Sequence, residues 1–279
     1  MKALNISGRI MDFSEPKIMA IVNLTSDSFY TNSRFGDSKH VVQYIESALE
    51  QGADIIDIGA MSSRPGAKEI PLQEEKIKIV NILSEVRNVY KDIIISVDTY
   101  RSEVAKAAAD MGADMINDIS GGTLDASLWD TMAELKLPYI LMHIQGSPVD
   151  MQLNPHYNDV VYEVLSGLIQ NVRILRNKGL SQIIVDPGFG FGKTIDHNYK
   201  LLDKLNVFDI LDLPIMAGIS RKSMIYKPIN SNPDHALNGT SALHMIALER
   251  GASILRVHDV KEARECIELH TLLKRSRIK

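Results

Sequence analysis

Asp98, Asn117 and Asp186 each close a short apolar run of the kind that forms a β-strand, and so do two cationic pairs, Arg221 with Lys222 and Arg256 with His258. Ionised carboxylates only accept hydrogen bonds, whereas an amide both donates and accepts. Together the first three suit the edge of a flat heterocycle carrying an amidine-like or guanidine-like donor pair. A metal site competes for the same residues, although neither their mix nor their spacing is diagnostic of one. Taken singly, each is as readily a helix N-cap or a loop anchor. The cations suit a phosphate. Arg256 and His258 flank Val257, so their side chains share one face of a strand. Ser220-Arg221-Lys222-Ser223 opens a helix, whose free backbone N–H groups add anion affinity. Asp57 and Asp118 also end apolar runs, and His143 reads equally as a packed strand tip or a substrate contact.

The run Asp186-Pro187-Gly188-Phe189-Gly190-Phe191-Gly192-Lys193-Thr194 resembles a phosphate loop, but the spacing fails. A Walker loop needs four residues between its first Gly and the Gly-Lys-Thr, and here Pro187 stands where that glycine belongs. The alternating glycines do not match the dinucleotide fingerprint either, so the segment reads as a flexible βα loop. Asn23 to Phe29 and Ser62 to Gly66 follow the first two apolar runs and are candidate lids.

Residues this far apart in sequence converge only if the fold gathers the strand ends. Eight runs rich in β-branched residues recur: 18–23, 55–59, 93–98, 115–120, 139–143, 183–187, 215–220 and 254–258. They are apolar on both faces, as in a buried parallel sheet. Helical periods alternate with them over 41–51, 73–90, 101–111, 157–177, 236–250 and 260–274, as βα repeats require. Gly52-Ala53-Asp54, Gly112-Ala113-Asp114 and Gly251-Ala252-Ser253 look like one αβ turn used three times, and Gly179 sits at a fourth such C-cap. The expectation is a single (β/α)8 TIM barrel over 1–279, with Ala3 to Glu15 forming a hairpin that plugs the barrel floor. All strand C-termini then open on one mouth, where barrels bind phosphate at the seventh and eighth strands.

Composition agrees with a globular protein: 45% hydrophobic, 24% charged, net charge -4. Nothing in it suggests a nucleic-acid binder. The one cysteine, Cys266, excludes an intrachain disulfide and falls in the apolar pattern of the last helix. Trp129 and the methionines read as packing residues. No membrane span or leader is expected, and the default location is the cytoplasm.

With these motifs assembled, the chain resembles the dihydropteroate synthases of folate synthesis along nearly its whole length. The blocks that carry the resemblance are Ile18 to Asn23 with Asp27-Ser28-Phe29, Gly52 to Gly59, Ser63-Arg64-Pro65-Gly66, Ser96-Val97-Asp98-Thr99, Ile116 to Gly122, Leu141-Met142-His143, Asp186 to Lys193, Ser220-Arg221-Lys222-Ser223 and Arg256 to Val260. The resemblance implies condensation of a dihydropterin methyl diphosphate with p-aminobenzoate, releasing pyrophosphate, with sulfonamides as competitive inhibitors and a homodimeric assembly. It implies that Asp98, Asn117, Asp186 and Lys222 hold the pterin, with Met142 and Gly218 in the same site and Arg256 stacked over the ring. Asn23, Arg64, Arg256 and His258 would hold the diphosphate with Mg2+, Asn23 touching the metal. Ser63, Pro65, Phe191, Lys222 and the Ser220-Arg221 turn would receive the aminobenzoate. Of these, Asp98, Lys222, Arg256 and His258 would act in the chemical step. Departures from the family pattern are Ser26 for Pro, Met61 for an acidic residue, Ser63 for Thr, and the missing Gly pair around Tyr30 to Ser33. A pterin-dependent methyltransferase, a noncatalytic pterin-binding homologue and a lysine Schiff-base aldolase using Lys222 or Lys193 are the rival readings.

Overall fold

A computed structural model describes residues 2–6, 8–24, 38–61, 69–148 and 150–277. Two short antiparallel strands, β1 (Ala3–Ile6) and β2 (Arg9–Asp12), form the expected hairpin. Eight parallel strands follow: β3 (Lys17–Asn23), β4 (Ile55–Gly59), β5 (Ile94–Asp98), β6 (Met115–Asp118), β7 (Tyr139–Met142), β8 (Ile183–Asp186), β9 (Met216–Ala217) and β10 (Ile254–Val257). Their order, β8-β7-β6-β5-β4-β3-β10-β9, leaves one seam between β8 and β9. A parallel bridge from Val185 to Ile215 crosses it, with Val185 N donating to Pro214 O at 3.0 Å. The sheet is a nearly closed barrel.

Helices α1 (Ser38–Glu50), α2 (Leu72–Val89), α3 (Ser102–Asp110), α4 (Leu128–Leu135), α5 (Val160–Asn177), α6 (Ile195–Asp203), α7 (Ser223–Tyr226), α8 (Leu237–Glu249) and α9 (Val260–Ser276) connect the strands. Among the described residues no helix is long and apolar enough to cross a membrane. The repeated αβ turn is real: Gly52 and Gly112 sit at φ +98° and +85°, which a side chain would strain. In both turns the next residue's N–H returns to a helix carbonyl, Ala53 to Ala48 and Ala113 to Ala108, at 2.9 Å. The aspartate that follows then anchors the neighbouring strand, Asp54 accepting from Ile18 N at 2.7 Å and Asp114 from Ile95 N at 2.9 Å.

Each strand alternates between two environments, as period two requires. Outward residues such as Ile56, Ile58, Val97 and Ile116 pack beneath the helices in the main core. Inward residues Met19, Ile55, Met115, Ile140, Ile184, Met216 and Ile254 form a separate apolar layer with Leu4, Ile6 and Met11 of the hairpin. The hairpin therefore closes the floor of the barrel. Two residues further along each strand the inward position becomes Ile21, Asp57, Asn117, Met142, Asp186, Gly218 and Arg256 in turn. One apolar layer supports one largely polar layer.

Several boundaries differ from expectation for local reasons. The seventh barrel strand is only Met216–Ala217, because Ile219 O accepts from Lys222 N at 3.1 Å and Arg221 turns to φ +55°. Helix α5 begins at Val160 rather than 157, because the Asp159 carboxylate caps Val161 N and Tyr162 N. Tyr157 instead packs in the core, its hydroxyl donating to Gly192 O at 2.9 Å. Cys266 is buried, and the Trp129 indole donates to the Tyr139 hydroxyl at 3.0 Å.

Candidate active site

Arg256 is the centre of the polar layer. Its Nε donates to Asp57 Oδ2 at 2.7 Å and its Nη2 to Asp98 Oδ2 at 2.8 Å, so one planar guanidinium spans two strands. Asp57 Oδ2 also accepts from Asn117 Nδ2 at 3.0 Å. Asp186 Oδ1 accepts from Gly188 N at 2.7 Å. A methyl added to Gly218 would lie 3.7 Å from Asp186 Oδ2, 3.9 Å from Lys222 Nζ and 4.0 Å from Arg256 Cβ. Glycine there leaves the space on which a carboxylate, an ammonium and the arginine stem converge. Lys222 Nζ donates to Phe189 O and stands 4.5 Å above the centre of the Phe191 ring, within cation–π range. His258 closes the cationic side: its Nδ1 lies 3.0 Å from Ser220 Oγ, which accepts from His258 N at 3.2 Å.

Burial sets the protonation of this ring. It raises the Asp98 carboxyl to about 7, with Asp57 adding to the rise and Arg256 opposing it. Burial likewise raises Asp186 despite the opposing pull of Lys222. The same desolvation lowers Lys222 to about 8, against the stabilising charge of Asp186. Burial also works against the Arg256 charge, but Asp57 and Asp98 outweigh it and keep the guanidinium firmly protonated. Asp57 Oδ1 and Asn117 Oδ1 are buried without a hydrogen-bond partner among the described residues. Each such unpaired buried acceptor costs about 1–3 kcal/mol, so the polar layer carries unused hydrogen-bonding capacity at Asp57 and Asn117. An apolar cluster of Tyr100, Ile119, Met142, Met151 and Phe191, with Met61 against it, supplies the non-polar surface a flat ring needs.

Two expectations are corrected by these contacts. Arg221 does not join the cationic cluster: its Nε and Nη2 hold Asp259 at 2.8 and 2.6 Å, a bidentate pair that takes up its planar fork. The glycine-rich segment after β8 is a packed element, with Phe189 fully buried and Lys193 bonded to Gly188 O and Phe191 O at 3.0 Å each. His143 is turned toward Lys193, and burial, reinforced by that lysine, lowers its imidazole to about 3. Ser63, Arg64 and Pro65, with the first-loop residues Ser26, Asp27-Ser28-Phe29 and Tyr30 to Ser33, lie outside the described residues.

Asp57, noted in the sequence only as the end of an apolar run, ties Arg256 to Asn117. Its signal was parity: Asp57 is two positions from Ile55 on the inward face of β4. Met151 was missed because it lies in the loop after β7, where no period identifies the inward side.

Asn23 closes β3 in register with Gly59. Among the described residues no group of three or more His, Cys, Asp or Glu side chains could hold a metal ion. One carboxamide oxygen fits Mg2+ only if the ion arrives on a ligand's phosphates and keeps part of its water shell, which is the usual habit of that cation.

Known proteins resemble this chain over nearly its whole length. The family model described as "Pterin binding enzyme" matches residues 19–258. The dihydropteroate synthase of Haemophilus influenzae is 40% identical over 268 residues, 95% of this chain and 97% of the relative. That of Escherichia coli K12 is 39% identical over 264 residues, 94% and 93% of the two chains. A Yersinia pestis dihydropteroate synthase solved with a sulfonamide drug complex superposes with a TM-score of 0.92 at 35% identity, covering 98% of this chain and 99% of the other. A Xanthomonas albilineans dihydropteroate synthase solved with 7,8-dihydropteroate superposes with a TM-score of 0.86 at 32% identity, covering 98% of each chain.

Proposed function

This chain belongs to the dihydropteroate synthase family of pterin-binding enzymes, and we propose that it joins a dihydropterin methyl diphosphate to p-aminobenzoate, giving 7,8-dihydropteroate and pyrophosphate. The observation that carries the proposal is Arg256, held by Asp57 and Asp98 in the same inward layer as Asn117, Asp186 and Lys222. Acceptors and an ammonium around one space match the alternating donors and acceptors of a pterin edge.

In this reading Asp98, Asn117 and Asp186 bind the ring N–H groups, Lys222 donates to its carbonyl side, and the apolar group around Met142 takes its faces. Arg256 lies over the ring and, with His258, faces the diphosphate, for which the family resemblance also enlists Arg64. The C–O bond to the diphosphate breaks first, its electron pair leaving with pyrophosphate, and the methylene carbon becomes cationic. Asp98, ionised, stabilises that charge. The arylamine nitrogen then forms the C–N bond, and the proton it sheds passes to the departing phosphate or to water. No covalent link to the protein is required. Phe191, Ser220 and Lys222 line the arylamine pocket in this reading, the place where sulfonamides compete, and the family resemblance adds Ser63 and Pro65 to it. Asn23 is the residue that would hold Mg2+ brought by the diphosphate. The bound ion would supply positive charge to the leaving group.

The barrel is read as one domain over 1–279, working in the cytoplasm without nucleic-acid or membrane partners. It is read as a homodimer, for which support lies in the exposed Ile246 of α8 and Leu269, Leu272 and Leu273 of α9. Pyrophosphate release on mixing the purified protein with both substrates tests the function. Release only when p-aminobenzoate is present supports it; release without the arylamine, or none with both, overturns it.

A further inference from the structure

We propose that Lys193, which touches neither substrate in this reading, is a positioning residue that braces the arylamine side of the cavity. The proposal rests on the assignment of Phe191 and Lys222 to the p-aminobenzoate pocket. Lysine is rarely buried unless paired, yet Lys193 is 3% exposed. Its Nζ lies 3.0 Å from Gly188 O, 3.0 Å from Phe191 O, 3.3 Å from His143 O and 3.1 Å from His143 Nδ1. Two of these acceptors belong to the loop after β8 and two to the residue that follows β7. The Lys193 amino group is thus a cross-brace between neighbouring strand ends.

The brace answers a need created by the backbone. A Cβ at Gly188 would come within 1.9 Å of His143 O, and one at Gly192 within 2.2 Å of Gln145 O, so the two loops touch chain to chain. Three carbonyl dipoles then point their negative ends at one buried spot. Burial lowers the Lys193 ammonium to about 7, against the pull of Asp186, and below that pH its three protons are shared among these carbonyls and Nδ1 of the neutral His143 ring. An apolar side chain there would leave buried carbonyls without donors and release the loop to reorganise.

The loop carries both anchors of Lys222. Phe189 O accepts from its ammonium, and the Phe191 ring lies beneath it at 4.5 Å. Asp57, Asp98, Asn117 and Arg256 stand on other strands and bond to one another rather than to this loop. Loss of Lys193 therefore acts first on the arylamine wall, where the Phe191 carbonyl bonds to it directly, and reaches the pterin only at second hand, through Lys222 and through Gly188, whose N–H donates to Asp186 Oδ1 at 2.7 Å.

Steady-state pyrophosphate release by Lys193→Met and Lys193→Arg, with each substrate varied in turn, tests this. For Lys193→Met the KM of p-aminobenzoate rises roughly tenfold or more, the scale expected of a misplaced positioning group, while the KM of the pterin diphosphate stays within about threefold. Lys193→Arg, which keeps the cation, recovers part of the arylamine KM. Equal loss for both substrates, no change, or an arginine variant as impaired as the methionine one overturns the assignment. If Lys193→Met does not fold, Lys193→Gln is measured in its place; failure of both to fold overturns the assignment by making Lys193 a requirement of the fold. Absence of wild-type turnover sinks the functional reading and this proposal with it, whereas wild-type turnover with an unselective variant sinks only the proposal.

Discussion

Arg256→Ala is the most informative single perturbation, because the residue joins the two halves of the site. Its guanidinium makes two charge-assisted hydrogen bonds, to carboxylates that are 0% and 8% exposed. Removing one member of a buried pair typically costs about 3–5 kcal/mol, since the remaining charge loses its partner. Here the lower end applies, because the Asp98 carboxyl, raised to about 7 even beside Arg256, escapes the penalty in the variant by taking up a proton. A stability loss of about 3 kcal/mol corresponds to a Tm drop of roughly 5 °C for a chain of this size. The catalytic loss has a separate origin, the missing charge beside the leaving group, and is also about 3 kcal/mol, or on the order of 100-fold in kcat/KM. The variant also loses the charge that holds the Asp98 carboxyl down, so the acid limb of its pH profile moves upward. Arg256→Lys keeps the charge but cannot reach Asp57 and Asp98 with one planar fork, so its activity falls between the two. Calorimetry with a coupled pyrophosphate assay across pH reads all three quantities. Unchanged kcat/KM in Arg256→Ala, or a lysine variant equal to the wild type, would refute the bridging role.

Asp57→Asn preserves shape but turns charged hydrogen bonds into neutral ones, a loss of about 1–2 kcal/mol. Its kcat/KM should fall roughly tenfold, and its acid limb should move to lower pH because Asp57 helps hold Asp98 protonated; a limb that does not move contradicts this electrostatic account. The Asp98 carboxyl binds its proton more tightly folded than unfolded, so the folded state is favoured below about pH 4 and that advantage is lost as pH rises to about 7. Relative to Asp98→Asn, the wild type should therefore lose up to about 4 kcal/mol between those limits in urea titrations, and a parallel pH response would contradict the burial argument. Gly188→Ala places a Cβ 1.9 Å from His143 O at φ +72°. It should destabilise by about 3 kcal/mol or more, and a denaturation midpoint equal to that of the wild type would show that the two loops can separate.

Much of this arrangement was readable before any coordinates, and the reason lies in strand parity. A parallel barrel forces apolar runs at regular spacing, and residues such as Asp98 and Asn117 stand out because they interrupt those runs at the same end. The repeated Gly-Ala-Asp turn was visible because left-handed backbone demands glycine. Asp57 was less legible, since an aspartate inside Ile-Ile-Asp-Ile-Gly looks like an anchor until its inward register with Ile55 is recognised. Arg221 misled for the opposite reason: adjacency to Lys222 suggested a shared task, but successive residues in a tight turn diverge, and Asp259 claims the arginine. Thr194 with His197 caps α6 through a pairing that composition does not reveal. Lys193 could be found only from the structure, because the carbonyls around it carry no side-chain signature.

The central claim is that the hydrogen-bonding residues of β5, β6 and β8 and the cationic residues after β9 and along β10 serve one ligand in one cavity. A crystal structure with a nonhydrolysable dihydropterin methyl diphosphate tests it most directly. The account predicts ring N–H groups on Asp98, Asn117 and Asp186, the ring beneath Arg256, and the diphosphate against His258. A pterin bound elsewhere, or bound with its diphosphate pointing away from Arg256 and His258, would contradict it.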